Sequence, residues 1–290
     1  MNAFALSSTL LKPAQLFLRA QGHGATVVCL HASTGSNAQW RGLVGQLADH
    51  WQTMSVDLHG HGRSPGWPAI MPNTLEVEAV AVIDAVRQAG PAPEGVHLVA
   101  HSYGAAVALQ IALMQPLWVR SLTLYEPVAF GVIHAMAPGD ASLAEIEATA
   151  KTVAIAVEAG DLEGAARRFI DYWSGAGTWD AMDAPQREAV RDRAITLPRH
   201  FEALLNARWA ARPLGSLTMP TLLMHGGQTR MPARRVADLV AEAGLPRLRR
   251  HQFEAAGHLG PMTHEAAVNA AIVDHLQAQA AASAMAAAFA

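Results

Sequence analysis

Apolar runs of strand length, Thr26 to Leu30, Thr53 to Val56, Val96 to Ala100 and Val119 to Tyr125, alternate with amphipathic stretches of helical length. After an interruption the alternation returns at Pro220 to Met224 (strand), Ala233 to Ala243 (helix), Arg247 to Phe253 (strand) and His264 to Gln279 (helix). Strands this apolar need cover on both faces, and crossover helices supply it. The pattern therefore predicts an α/β fold: a doubly wound, mainly parallel sheet. Ala14 to Ala20 reads as a further strand, closed by the turn Gln21-Gly22-His23-Gly24. Helices are expected from Ser36 to about Asp49, with Ser36 and Gln39 as a capping box, from near Asn73 to Gln88, and from Tyr103 to Gln115.

Between about Gly131 and Arg212 the strand signal disappears. Four helices are predicted instead: Ser142 to Ala159 (with a Ser142/Glu145 capping box), Leu162 to Trp173, Pro185 to Ile195 and Arg199 to Ala211. The stretch is too long for a loop and has no sheet of its own, so it reads as a helical lid inserted between two core strands. The expected division is a first core part at 1–130, the lid at 131–213, a second core part at 214–281 and an Ala-rich tail at 282–290.

The composition narrows the partners. Hydrophobic residues make up 51% of the 290 and charged ones 16%, enough apolar material for a large core. The net charge is −3, with no long run of either sign, so no phosphate-binding surface is indicated and nucleic acid is excluded as a partner. Cys29 is the sole cysteine and sits in an apolar run, where an inert buried thiol is expected. Met1 to Arg19 lacks a basic start followed by a long apolar stretch, and no other segment suits a bilayer. The expectation is a cytoplasmic protein acting on a small, partly apolar molecule, with no membrane, cofactor or metal. His59 and His61 form His-x-His without the acid-histidine continuation that a metal site needs, and are read as part of a tight loop.

The run Val96 to Ala100 passes straight through His101-Ser102-Tyr103-Gly104-Ala105 into a helix. A serine on so sharp a strand-to-helix turn projects its hydroxyl from the end of the sheet. Small residues two before and two after it, here Ala100 and Gly104, let the two backbones approach. The five residues alone would also suit a serine that caps the helix; their position between a buried strand and an alanine-rich helix favours the catalytic reading.

With this turn in view the chain resembles the α/β-hydrolases over nearly all its length outside the insertion. The resemblance includes His31-Ala32-Ser33-Thr34-Gly35-Ser36 after an early strand, Asp57-Leu58-His59-Gly60-His61-Gly62-Arg63-Ser64 after the next, and Ala256-Gly257-His258 near the end. It implies Ser102 as nucleophile and His258, of fourteen histidines, as the base in the loop before the final helix. It also implies an oxyanion hole made by the backbone N–H of Tyr103 and that of Ser33, with Thr34 as an alternative to Ser33.

One part departs from the family. The stretch His225-Gly226-Gly227-Gln228-Thr229 carries Thr229 where most relatives place the acid of the triad. Glu126, just past the strand Val119 to Tyr125, is a carboxylate at the position a subset of relatives uses, including some haloalkane dehalogenases. Asp57 is the fallback. A serine nucleophile argues against dehalogenase and epoxide-hydrolase chemistry, which need a carboxylate nucleophile. The expected activity is hydrolysis of a carboxylic ester, thioester or lactone through an acyl-enzyme. Carbon–carbon bond hydrolysis, acyl transfer and a non-catalytic binding role are the alternatives.

Overall fold

The computed structural model describes residues 15–90, 92 and 94–288. Its sheet comprises β1 (Leu18–Gln21), β2 (Ala25–Leu30), β3 (Trp51–Val56), β4 (Val96–His101), β5 (Val119–Tyr125), β6 (Thr221–Gly226) and β7 (Leu248–Phe253), in the spatial order β1-β3-β2-β4-β5-β6-β7. Only β1 runs antiparallel, against β3; every other pair is parallel.

Side-chain alternation along β2 shows why the sheet is covered twice. Val28 and Leu30 enter one apolar cluster, with Val82 and Val86 of α2 (Leu75–Ala89) and Leu109 of α3 (Tyr103–Met114). Val27 and Cys29 enter the other, with Leu43 and Leu47 of α1 (Arg41–Leu47) and residues of the last helix. Burial pushes the Cys29 thiol up to about 12, as befits an inert thiol. Strand order reverses beside β2 and β4, and the carboxyl ends of neighbouring strands open there into a crevice.

Between β5 and β6 the chain is helical: α4 (Gly131–Met136), α5 (Ala141–Glu158), α6 (Leu162–Ser174), α7 (Thr178–Ala181), α8 (Ala184–Arg193), α9 (Leu197–Asn206) and α10 (Ala211–Gly215). After β6 come α11 (Met231–Glu242), then β7, α12 (Gly260–Thr263) and α13 (Glu265–Ala288). The doubly wound sheet with an inserted helical region matches the architecture read from the sequence. Among the described residues no helix is long and apolar enough to cross a membrane.

Several local expectations are corrected. The first strand occupies Leu18–Gln21 rather than Ala14 to Ala20, so Gln21 belongs to the strand, and Ala14 lies outside the described residues. Ser36 and Gln39 make no capping box; the Gln39 side chain is drawn away, its Oε1 accepting from Ala32 N–H at 3.0 Å. The cap of α5 sits at Asp140, which accepts from Ser142 N–H, while Glu145 takes the Tyr172 hydroxyl. The helix expected over Arg199 to Ala211 stops at Asn206, and a separate short helix starts at Ala211. The final helix, expected over His264 to Gln279 with the alanine-rich tail extending or fraying from it, runs from Glu265 to Ala288.

Candidate active site

Ser102 stands between β4 and α3 with φ 56° and ψ −121°, a region that costs a non-glycine residue about 1–3 kcal/mol. Its surroundings hold it there. The Ser102 N–H donates to Tyr125 O at 2.9 Å, and Ser102 O accepts from the N–H groups of Ala105 and Ala106. Gly104 lies against β2 so closely that a Cβ there would come within 2.7 Å of Leu30 O and 2.6 Å of His31 O.

His258, from the loop between β7 and α12, brings Nε2 to 2.9 Å from Ser102 Oγ. Its Nδ1 lies 2.6 Å from Glu126 Oε2. With Nδ1–H donating to the carboxylate, Nε2 keeps its lone pair for the serine proton. Glu126 is fully buried and has a positive φ of 47° just past β5. Its Oε1 accepts from Gly226 N–H at 2.8 Å, and its Oε2 also accepts from Thr229 Oγ1 at 2.7 Å. The structure thus brings Ser102, His258 and Glu126 into one hydrogen-bonded line. Asp57 is not part of it. Its Oδ1 accepts from Asn37 N–H and Nδ2, and its Oδ2 from Arg63 N–H, so it ties together two loops.

Around Ser102 the backbone donors sort by what they already bind. Ala32 N–H donates to Gln39, Thr34 N–H to His61 Nε2 at 3.1 Å, and Gly35 N–H to Ala32 O. The N–H of Ser33 has no acceptor among the described residues, nor does that of Tyr103 at the first position of α3, where no intrahelical acceptor exists. Of the two residues the sequence left open, Ser33 keeps the free donor.

A set of buried imidazoles frames these loops. His31 Nδ1–H donates to Ala32 O while Nε2 accepts from Leu58 N–H, and His61 Nδ1–H donates to His59 O while Nε2 accepts from Thr34. His101 Nε2–H donates to His258 O at 2.8 Å, and its Nδ1 accepts from Gln39 Nε2. One nitrogen donating and the other accepting requires neutral rings. Burial enforces this, holding His31 near 4 and His61 near 3, and His101 well below its usual range. His59 Nδ1 lies 2.9 Å from Glu78 Oε1, and among the described residues no group of three side chains that could hold a metal occurs.

Aromatic side chains from the insertion reach the site. Trp173 stacks on the His258 ring at 4.0 Å and 26°. A cavity of about 170 Å³ opens over Ser102 and His258, with Thr34, Phe169, Trp173 and Met262 in its wall. A second chamber, of about 10 Å³, room for about one water-sized group, also borders Ser102 and Ser33 and is walled by Val128, Phe130, Leu197, Phe201 and His200. Phe169 and Trp173 line both spaces. Phe201 lines the smaller space and Phe169 both, whereas Trp179 is buried and lines neither.

Sequence reading missed Thr229 as a donor, Trp173 as a ring on His258, and His200. Thr229 carried a signal, a hydroxyl standing where an acid was expected; the other two contacts cross from the insertion and leave no local pattern.

The family model described as "alpha/beta hydrolase fold" matches residues 25–265. The pimeloyl-[acyl-carrier protein] methyl ester esterase of Chromobacterium violaceum is 29% identical, over 91% of this chain and 99% of that protein. Its namesake from Methylococcus capsulatus is 39% identical over 109 residues, a match spanning 38% of this chain and 39% of that protein. A thermophilic esterase from Thermogutta terrifontis superposes with a TM-score of 0.70 at 21% identity, over 91% of this chain and 93% of that one, a likeness of fold.

Proposed function

We propose that this chain, which belongs to the alpha/beta hydrolase fold family, is a serine hydrolase of small carboxylic esters working through an acyl-enzyme on Ser102. The observation that carries the reading is the continuous line Ser102 Oγ, His258 Nε2, His258 Nδ1, Glu126 Oε2, with distances of 2.9 and 2.6 Å.

In the first half-reaction Ser102 Oγ attacks the ester carbonyl as its proton passes to His258 Nε2. Glu126 holds the ring in the tautomer that can accept this proton and stabilises the imidazolium. The negative charge forming on the carbonyl oxygen is met by the N–H groups of Tyr103 and Ser33. His258 then protonates the departing alkoxide, leaving the acyl group on Ser102. In the second half-reaction water gives a proton to His258 and attacks the acyl carbon, and the carboxylic acid leaves with Ser102 reprotonated.

The two cavities divide the substrate. The larger contains His258, which must reach the leaving oxygen, so it takes the alcohol part. The smaller borders Ser102 and Ser33 without His258 and takes the acyl part, which its volume keeps short or requires Phe169 and Phe201 to shift. The methyl ester esterases among the relatives support an ester as the substrate class.

A fluorophosphonate probe tests the reading. The folded protein is expected to be labelled at Ser102, and Ser102→Ala to lose both labelling and hydrolysis of 4-nitrophenyl acetate. An unlabelled wild type would point to a binding protein instead.

A further inference from the structure

His200 projects from α9 of the insertion, fully enclosed, and lies flat on the Tyr103 ring at 3.7 Å and 4°. Its Nδ1 is 2.8 Å from Ser33 Oγ. Tyr103 follows Ser102 in the chain and Ser33 shares a cavity wall with it, and neither backbone N–H has an acceptor among the described residues. One side chain from the insertion therefore touches both.

Other contacts brace the same pair. On its far side His200 stacks on His61 at 5.1 Å, and His61 accepts from the N–H of Thr34, next to Ser33. Tyr103 is fixed at its other end, its hydroxyl donating to buried Glu78 Oε2 at 3.2 Å. Arg193, also from the insertion, donates to Thr34 O at 2.8 Å. The remaining nitrogen of His200, Nε2, has no partner among the described residues, so the ring's polar commitment is to Ser33. Burial and the neighbouring imidazoles hold the ring neutral. Packing α9 on the core needs only an apolar ring; a histidine that also binds Ser33 is explained by what Ser33 does.

We propose that His200 is a positioning residue that locks the oxyanion hole, holding both donor residues so that the hole is complete only when the helical insertion is seated. The proposal rests on the serine-hydrolase reading above. Loss of one oxyanion donor costs about 10²–10³-fold in kcat, so loosening a donor without removing it is expected to cost about tenfold.

Two substitutions delete the same bond from opposite ends. His200→Phe keeps the stack on Tyr103, and Ser33→Ala keeps the backbone N–H and leaves the core side chains intact. Each is expected to lower kcat about tenfold with KM within about twofold, and the double variant to be no worse than the poorer single. Affinity for a trifluoromethyl ketone, which forms an oxyanion on Ser102, is expected to fall in proportion to kcat/KM. A packing role alone would lower Tm without moving that affinity.

The proposal is overturned if Ser33→Ala leaves both kcat and trifluoromethyl ketone affinity within about twofold of wild type. It is overturned equally if the two losses multiply in the double variant. Either result with an active, probe-labelled wild type leaves the serine-hydrolase reading standing. A wild type that neither turns over esters nor labels at Ser102 overturns both.

Discussion

Thr229 donates its hydroxyl to Glu126 Oε2 across 2.7 Å, and that same oxygen accepts from His258 at 2.6 Å. Thr229, at the position where the family resemblance implies an acid, is thus a hydroxyl donor to the carboxylate proposed as the triad's acid, which comes from the end of the neighbouring strand. Gly226 N–H holds the other carboxylate oxygen at 2.8 Å.

Glu126→Gln is expected to lower kcat by about 10⁴-fold with the fold intact, because an amide cannot stabilise the imidazolium or enforce its tautomer. Thr229→Val, which removes one donor and keeps the shape, is expected to cost about tenfold. Since Thr229 Oγ1 and the His258 ring meet at one oxygen, a carboxylate placed at 229 has a short path to Nδ1. Adding Thr229→Asp to Glu126→Gln is expected to recover about tenfold or more of the lost kcat, measured with 4-nitrophenyl acetate. No recovery would mean that the β5 position alone can serve His258.

The framing histidines make the fold acid-sensitive. Nine of the fourteen are buried, and burial holds His31 and His97 near 4 and His61 near 3, below the ordinary value of 6.5. As pH falls from 6.5 toward 4, the unfolded chain takes up protons that the folded one refuses. Stability is therefore full above 6.5 and declines through that range, by about 1.4 kcal/mol per pH unit for each such imidazole. Urea midpoints at about pH 7.5 and about pH 5 check this; equal midpoints would contradict it.

Gly104 sets how closely α3 can follow β4. The atoms a Cβ would meet, Leu30 O and His31 O at 2.7 and 2.6 Å, are backbone at the end of a central strand, with no side chain to swing aside. His31 also begins the loop that carries Ser33. Gly104→Ala is expected to cost about 1–3 kcal/mol and to lower Tm by several degrees. Differential scanning calorimetry measures it, and an unchanged Tm would show that the turn has slack.

How much of this was legible depended on distance along the chain. Val119 to Tyr125 reads as a strand because its β-branched, apolar and aromatic residues form a signal local to the run, and the strand has those bounds. The serine turn is legible for the same reason: strand, small residue, serine and small residue are consecutive. Glu126 could be singled out because a strand end is a place in the fold as well as in the sequence. The Ser36/Gln39 pattern failed because Gln39 had better-paid work with Ala32 and His101, groups no local rule includes. His200 and Ser33 are 167 positions apart, and only the docking of α9 makes them neighbours.

Trp173 lies over the His258 ring at 4.0 Å and 26°, face to face. In the proposed mechanism that ring accepts the Ser102 proton and becomes an imidazolium in the transition state. The negative face of an indole attracts a cation, so the stack strengthens as the proton arrives, which is the condition for it to lower the barrier. The gain is about 0.5–2 kcal/mol, or about 2- to 30-fold in rate. Trp173→Leu is expected to reduce kcat within that range, and Trp173→Phe, which keeps an aromatic face, to reduce it less. Both are measured with an ester of small alcohol and acyl parts, so that the altered cavity wall does not limit binding. Equal rates for the leucine variant and the wild type would reduce Trp173 to a wall of the cavity, and a leucine-like phenylalanine variant would attribute the loss to volume rather than to the ring.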